Sequence, residues 1–350
     1  MSVKVLIAAG GTAGHVVPAI AIADALRAEG ADVVFVGGQR AEAELVPAAG
    51  YPLEPLRVEG ISRTNPLRAA RAVVRAGGAV AAARRILRRH RPDAVLGGGG
   101  YVAGPIGLAA VAMRIPIVLT EADSHLGLTN RLLAGRARRV CLAFPIEGRT
   151  GERYRLTGRA VPPASADRAG GRAAFGLADD ETCILVFGGS LGARSINLAA
   201  VEAFADVPWR ILHVAGRRDF AELAAPGPHY DLRDYVTPFA PALAAADLAV
   251  ARSGGSVFEL AQYGIPAVLV PYPHASADHQ TANARWMEQA GAALVVPDAE
   301  LTAQRLLREV RAILETPGRR EAMAAASAAL ARPHAARDIA GEVLAAARRL

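Results

Sequence analysis

The stretch PYPHASADHQTANA at 271–284 places His274, Asp278 and His279 within six positions. These residue types ligate metals or move protons. Gln280 and Asn283 follow, with amides that both donate and accept hydrogen bonds. Three readings stand open for this stretch: a metal site, an acid–base site, or a loop that binds a ligand rich in hydroxyls. Elsewhere, His15 follows a glycine-rich turn in GGTAGHVVP. Its ordinary pKa near neutrality suits a general base, although a lone histidine is more often a cap or core residue. A third constellation is Ser253-Gly254-Gly255-Ser256 with Glu259 about one turn further on. N–H groups at such a helix start can receive a diphosphate. Glu259 could accept from the two hydroxyls of a ribose, or simply favour the helix dipole as a first-turn acid.

The elements that must carry these residues occur twice. VLIAAGGTAGH at 5–15 matches ILVFGGSLGAR at 184–194, each an apolar strand run, a glycine turn and a helix-like stretch. DAVLGGGGYVAGPIGLAAVAMRIPIVL at 93–119 matches DLAVARSGGSVFELAQYGIPAVLV at 247–270. Short apolar runs alternating with helical runs predict parallel sheets built from βαβ units. The expected fold is therefore α/β, two Rossmann-like doubly wound domains with an interdomain cleft. The linker falls in RLTGRAVPPASADR at 155–168, around Pro162-Pro163. Expected domains are 1–158 and 159–332, with a helical tail over about 333–350 able to return to the first.

The glycine turns also exclude chemistries. Ala9-Gly10-Gly11-Thr12-Ala13-Gly14 approaches a dinucleotide fingerprint, but the next strand, VVFVGGQR, ends in Gly37-Gly38-Gln39 and not in an acid for the ribose. No Gly-x-x-x-x-Gly-Lys-[Ser/Thr] is present, which argues against a P-loop, and no Asp-x-Asp carboxylate pair points to a metal. No cofactor is expected.

With 350 residues, 52% hydrophobic and 21% charged, the chain suits two globular domains. Cys141 and Cys183, the only cysteines, sit in apolar runs and form no Cys-x-x-Cys. MSVKVLIAAGG enters a strand pattern directly, without a basic-then-apolar leader, and no apolar stretch approaches the roughly 20 residues of a bilayer span. A cytoplasmic protein is expected. The net charge is +7 and Lys4 is the only lysine. Ten arginines and one acid, Glu59, fall between Arg57 and Arg91. This is either a solvated helix face or a surface for anionic lipid or a lipid-linked phosphate. Tyr51 and Tyr101 bracket the segment without entering it, so a base-stacking surface for nucleic acid is not indicated.

Taken in order, GGTAGHVVPA (10–19), GGGGYVAGP (97–105), GLTNRLLA (127–134), GGSLGARSIN (188–197), RSGG…EL (252–260) and PYPHASADHQTANA resemble the MurG family of peptidoglycan glycosyltransferases over nearly the whole chain. The resemblance implies a GT-B fold and an inverting transfer of N-acetylglucosamine. The donor would be UDP-N-acetylglucosamine, and the acceptor the 4-hydroxyl of the undecaprenyl-diphosphate-linked muramyl pentapeptide, lipid I, giving lipid II. It implies a donor held by the C-terminal domain, an acceptor on the N-terminal domain, and peripheral contact with the anionic inner membrane at its cytoplasmic face. The basic segment 57–91 fits that contact, and the turns at 10–14 and 97–100 fit the acceptor diphosphate.

Residue by residue, the resemblance makes His15 the base, with Thr12, Ala13 and Gly14 near the donor sugar and acceptor phosphates. It puts Ser190 near the donor phosphates and Ala240 at the uracil ring. Gly255, Ser256, Val257 and Phe258 form the phosphate-binding helix start, and Glu259 takes the ribose. Gln280 binds the transferred sugar, and Asn283, three positions on, supports the same helix face. Asp278 becomes the cap of that helix, and the metal reading of the two histidines gives way to loop scaffolding. Three departures mark this chain. Asp123 stands where the family more often has Asn. Pro162 replaces a donor-binding Arg whose place Arg159 could take. The Ser-Gly-Gly-Ser turn is one residue shorter. Rival readings are a glycosyltransferase for another glycolipid, a UDP-N-acetylglucosamine 2-epimerase, and a nucleotide-sugar-binding protein without catalysis.

Overall fold

The computed structural model describes all residues except 1, 57–65, 163, 165–166, 190–191, 276–277 and 349–350, and no side chains along 66–76. The chain forms two compact units, Met1–Pro162 with Arg332–Leu350, and Pro163–Ala331. The first runs on through Pro162, past the expected edge at 158, and so includes Arg159.

The first unit is a parallel sheet of β1 (Lys4–Ala8), β2 (Asp32–Gly37), β3 (Leu53–Pro55), β4 (Ala94–Gly97), β5 (Ile117–Glu121), β6 (Arg139–Leu142) and β7 (Tyr154–Leu156). Their order is β3-β2-β1-β4-β5-β6-β7. β1 lies between β2 and β4, with Val5 opposite both Val33 and Ala94. Strands covered on both faces read as unbroken apolar runs, and Val5 to Ala8 are wholly buried. The two-residue period divides them between two cores. Val5 and Ile7 join the layer beneath α1 (Ala13–Ala28), while Leu6 and Ala8 join the layer holding α3 (Pro66–His90) and α4 (Ala103–Ala112). The short α2 (Ala41–Ala48) and α5 (Leu128–Leu133) follow β2 and β5.

The second unit repeats the plan after α6 (Arg168–Ala174), which Asp167 caps by accepting from Gly170 N–H at 2.7 Å. Its strands are β8 (Cys183–Phe187), β9 (Arg210–Val214), β10 (Tyr230–Arg233), β11 (Leu248–Ala251), β12 (Ala267–Leu269) and β13 (Ala293–Val295), in the order β10-β9-β8-β11-β12-β13. All pairs are parallel. The helices are α7 (Arg194–Ala203), α8 (Ala240–Ala245), α9 (Ser256–Gln262), α10 (His279–Gln289), α11 (Ala303–Leu314) and α12 (Arg319–Ala329). The repeated segments occupy equivalent places, since β8 lies between β9 and β11 as β1 lies between β2 and β4. Two three-strand halves that diverge from a central pair put a switch point at the carboxyl ends of that pair, where doubly wound sheets bind ligands.

The chain then returns to the first unit as α13 (Ala335–Arg348), which packs on α1 through Ile339, Ala340, Val343 and Leu344, a stripe at helical spacing. Among the described residues no helix is long and apolar enough to cross a membrane. Cys141 and Cys183 are free and buried, and burial pushes both thiols up to about 12, so neither offers a thiolate.

Candidate functional site

In the first unit, the turns leaving β1 and β4 interlock. Side chains are excluded on the β4 side of the contact. A Cβ on Gly100 would stand 1.8 Å from the Gly10 carbonyl oxygen, and one on Gly99 would stand 2.6 Å from His15 Cδ2. Gly11, Gly99 and Gly100 take φ of 112°, 94° and 79°, the left-handed region that glycine enters without penalty. His15, half-buried in the first turn of α1, therefore leans on the second turn. Thr12 occupies the N-cap of α1, yet its side chain caps nothing; Oγ1 instead meets His15 Nδ1 at 3.3 Å. Among the described residues Nε2 has no hydrogen-bond partner, so this nitrogen can face a ligand. Burial first, then the Arg159 guanidinium, holds the imidazole below its ordinary 6.5, against the opposing pull of Asp123 and Glu42. The ring is thus neutral at pH 7, as a base must be.

The other nominated residues of this unit gather close by. Ala13 and Gly14 are exposed at the start of α1. The Gly14 carbonyl accepts from the Arg159 guanidinium. His15, Gly14, Gly98, Thr120, Glu121 and Arg159 line one small cavity. Asp123 follows β5, and its N–H donates to Glu121 at 3.2 Å. Two buried carboxylates shape this edge. Glu121, 7% exposed, accepts from Gly127 N–H at 2.8 Å and Asn130 Nδ2 at 2.9 Å, and burial raises its pKa. Glu42 accepts from Gly11 N–H, Gly38 N–H and the Tyr101 hydroxyl. Burial pushes its carboxyl up, but the backbone bonds, led by Gly11, outweigh this and leave it low. The Gly11 N–H is thereby occupied, which leaves the α1 start, not the Gly10–Gly11 turn, to meet an anion.

In the second unit, Gly192 (φ 76°) abuts the Ala215 carbonyl, where a Cβ would stand at 2.1 Å. Ser190, nominated for the donor phosphates, lies outside the described residues. The turn before α9 is tied to other segments by side-chain donors, one from α10 and two of its own. Asn283 Nδ2 donates to the Ser253 carbonyl at 3.1 Å, and Ser253 Oγ donates to the Gln280 carbonyl at 2.7 Å. Arg252 donates to the Val270 and Pro271 carbonyls, to Asp298 at 2.6 Å and to Ser195 Oγ at 2.9 Å. Gly255 is the N-cap of α9, at φ −61°, so this turn uses right-handed backbone throughout its cap. Ser256 and Glu259 are half-buried, whereas Val257 and Phe258 are core residues that can offer a ligand only backbone. Ala240 opens α8 beside Phe239, whose ring meets Phe187 at 5.2 Å.

Gln280 and Asn283 part company. Gln280 is half-buried; its Oε1 accepts from Tyr272 N–H at 3.0 Å, and its Nε2 lies 3.8 Å from where a Gly254 Cβ would stand. Asn283 is 1% exposed and acts on the turn from beneath, its Oδ1 unmatched among the described residues. Asp278 sits at the N-cap of α10 with φ 53°, but its carboxylate accepts from Thr281 Oγ1 at 2.6 Å and does not cap the backbone. Among the described residues no three His, Cys, Asp or Glu gather as a metal site.

Sequence reasoning passed over Glu42, Glu121, Tyr101 and the side-chain role of Arg252. Glu42 reads as an ordinary first-turn acid, and nothing local announces that its partners lie 31 and 59 residues away. Glu121 had a signal, its place beside Asp123 and before the GLTN run.

Residues 5–142 match the model of the glycosyltransferase family 28 N-terminal domain, and 183–340 that of its C-terminal domain. A protein of Moorella thermoacetica is 42% identical over 95% of this chain and 96% of its own length. One of Alkalilimnicola ehrlichii is 43% identical over 97% and 98%. Both are named UDP-N-acetylglucosamine–N-acetylmuramyl-(pentapeptide) pyrophosphoryl-undecaprenol N-acetylglucosamine transferase. Among solved structures, Acinetobacter baumannii MurG superposes with a TM-score of 0.78 at 30% identity, covering 99% of this chain and all of that one.

Proposed function

We infer the reaction from the premise that this chain belongs to glycosyltransferase family 28, in its MurG branch. It is a transferase that moves N-acetylglucosamine from UDP-N-acetylglucosamine to N-acetylmuramyl-(pentapeptide) pyrophosphoryl-undecaprenol, forming lipid II for peptidoglycan. The observation that carries this reading is identity above 40% along nearly the full length of both proteins, with both family domains in order.

The finer mechanism is our proposal. His15 Nε2 takes the proton from the acceptor 4-hydroxyl as that oxygen attacks the anomeric carbon. The bond from that carbon to the β-phosphate oxygen breaks on the opposite face, UDP departs with the electron pair, and configuration inverts. The low pKa of His15 supports its part, since the ring begins unprotonated. Ser256 and the N–H groups at the start of α9 would meet the growing charge on the leaving phosphate. Glu259 would bind the ribose, Ala240 the uracil edge by its backbone, Gln280 Nε2 the sugar hydroxyls, and Ser190 the donor phosphates. Asp123 and Arg159 would bracket His15 from the acceptor side. The reaction requires the acceptor on the first unit to reach the donor on the second, so a cleft between domains and its closure over the substrates belong to the proposal. So does peripheral contact of the basic segment 57–91 with the anionic cytoplasmic face of the membrane; residues 57–76 of that segment lie outside the described side chains.

Incubating the purified protein with radiolabelled UDP-N-acetylglucosamine and a lipid I analogue tests the reaction. Label should pass to the analogue, with UDP released in equal amount. Label that stays with the donor, or an epimerised donor formed without acceptor, would overturn it.

A further inference from the structure

Behind the first unit's glycine turns stands a carboxylate to which the mechanism above gives no task. Glu42 lies in the first turn of α2 and is fully buried. A buried carboxylate is costly unless its lone pairs are filled. Here the donors are neutral: Gly11 N–H at 2.8 Å, Gly38 N–H at 2.8 Å and the Tyr101 hydroxyl at 2.9 Å. They belong to three segments, the turn after β1, the end of β2 and the turn after β4. The fit leaves no slack. A Cβ on Gly10 would stand 2.8 Å from Glu42 Oε1, one on Gly37 2.7 Å from Glu42 Cγ, and one on Gly38 1.9 Å from the Tyr101 hydroxyl oxygen. From there contact continues to the imidazole, since Gly10 abuts Gly100 and Gly99 abuts His15.

We propose that Glu42 is the positioning residue for His15 and the acceptor, locking both glycine turns through these three hydrogen bonds. This rests on the transfer reaction above. Two physical consequences separate it from plain scaffolding. Its three bonds all lie in the first unit, which the proposed reaction gives to the acceptor, so its loss should be felt by the acceptor more than by the donor. Its backbone bonds also keep it charged, and that charge faces His15 together with Asp123, Arg159 and the cavity-lining Glu121. A negative charge favours the imidazolium, so removing it lowers the pKa of His15 further.

Two variants divide reach from charge. Glu42→Gln keeps the shape but turns one accepting oxygen into an NH2 that faces a backbone N–H. Its kcat/KM for the lipid I analogue should fall about 100-fold, the scale of an ångström-sized misplacement. Its Kd for UDP-N-acetylglucosamine should stay within about twofold, since its partners lie in the first unit and the donor is proposed to sit mainly on the second. The acid limb of its pH profile should move to lower pH. Glu42→Asp keeps the charge but falls one methylene short, so the acceptor-side loss should recur with the acid limb in place. Acceptor kinetics unchanged in either variant, or equal losses on both substrates with a lower Tm, would overturn the proposal. Should Glu42→Gln not fold, the split in Glu42→Asp decides alone. A wild-type protein that transfers nothing removes the reaction itself and this inference with it, whereas an active wild type indifferent to both changes removes the inference alone.

Discussion

In the first unit, buried carboxylates take up backbone N–H groups: Glu42 holds those of Gly11 and Gly38, and Glu121 those of Asp123 and Gly127 in the loop after β5. At the corresponding turn of the second unit, side-chain donors take up carbonyls: Asn283 holds Ser253, and Arg252 holds Val270 and Pro271. The sheets share a strand order and the turns share a glycine-rich pattern, yet buried carboxylates do much of the tying in the first unit, where Arg159 also donates to the Gly14 carbonyl, and an amide and an arginine do it in the second, where Gln280 also accepts from Tyr272 N–H. Carboxylates beneath a turn place negative charge there and consume the groups that would bind a phosphate. Donors beneath a turn leave the first N–H groups of the following helix, which the helix itself does not use. A repeated fold is thus tied down by different side-chain chemistry in its two halves.

The sharpest way to break this contrast is at the imidazole. His15→Ala should cost about 10²- to 10⁴-fold in kcat, the usual worth of a positioned base, while isothermal titration finds the donor Kd unchanged. A donor affinity that collapses with it would mean that the two halves do not divide the work in this way.

A second test lies in the core of the second unit. His213 is wholly buried between the Tyr230 hydroxyl at 2.7 Å and Asn197 Oδ1 at 3.0 Å. Asn197 Nδ2 in turn donates to the Ala215 carbonyl and to Asp219, so this chain of bonds braces the start of α7. Burial lowers the histidine from 6.5 to about 4. The unfolded chain therefore binds the proton more readily between these values. His213 costs no stability above pH 6.5, and stability drains away as pH falls from there towards 4. Denaturant titrations of the wild type and His213→Gln should show a wild-type loss larger by about 3 kcal/mol between pH 7 and 4. Parallel curves would remove the neutral histidine from the brace.

Gly99→Ala places a methyl against the His15 ring at a backbone angle of φ 94°. A fall in kcat of about 100-fold is expected from the displaced base, with the donor Kd again steady. If donor binding fell and kcat per bound donor did not, the turn would belong to the other substrate. Asn283→Ala should act in the opposite sense and least. It leaves the Ser253 carbonyl unsatisfied, costing about 1–3 kcal/mol of stability and weakening UDP-N-acetylglucosamine, while the acceptor KM stays level. An acceptor KM that rose instead would contradict the assignment of this turn to the donor half.

Much of this was legible in the chain. The duplicated strand–glycine–helix runs disclosed both sheets, because an apolar run of strand length followed by a glycine turn has few other outcomes. His15, Thr12 and Glu259 were nominated because each sits at a fixed step from such a turn, and Gln280 because the motif around it resembles the family's. Asn283 was nominated for the site, but its burial was not legible, since its partner, the Ser253 carbonyl, is supplied by a turn 30 residues away. Arg159 was read as a donor contact on the second domain, and the fold places it in the first unit on the Gly14 carbonyl.

The sequence by itself determined the two parallel sheets, since local hydrophobic period and glycine spacing act over a few residues, and the six motifs in order, whose resemblance to a known family implied the reaction. Only the tertiary structure decided which polar groups the turns keep. Glu42, Glu121, Arg252 and His213 draw their meaning from backbone groups and side chains far along the chain. A carboxylate on a helix looks the same in sequence whether it faces water or fills the space behind two glycine turns. Desolvation and the donors it meets there make the difference, and both exist only once the sheet has assembled.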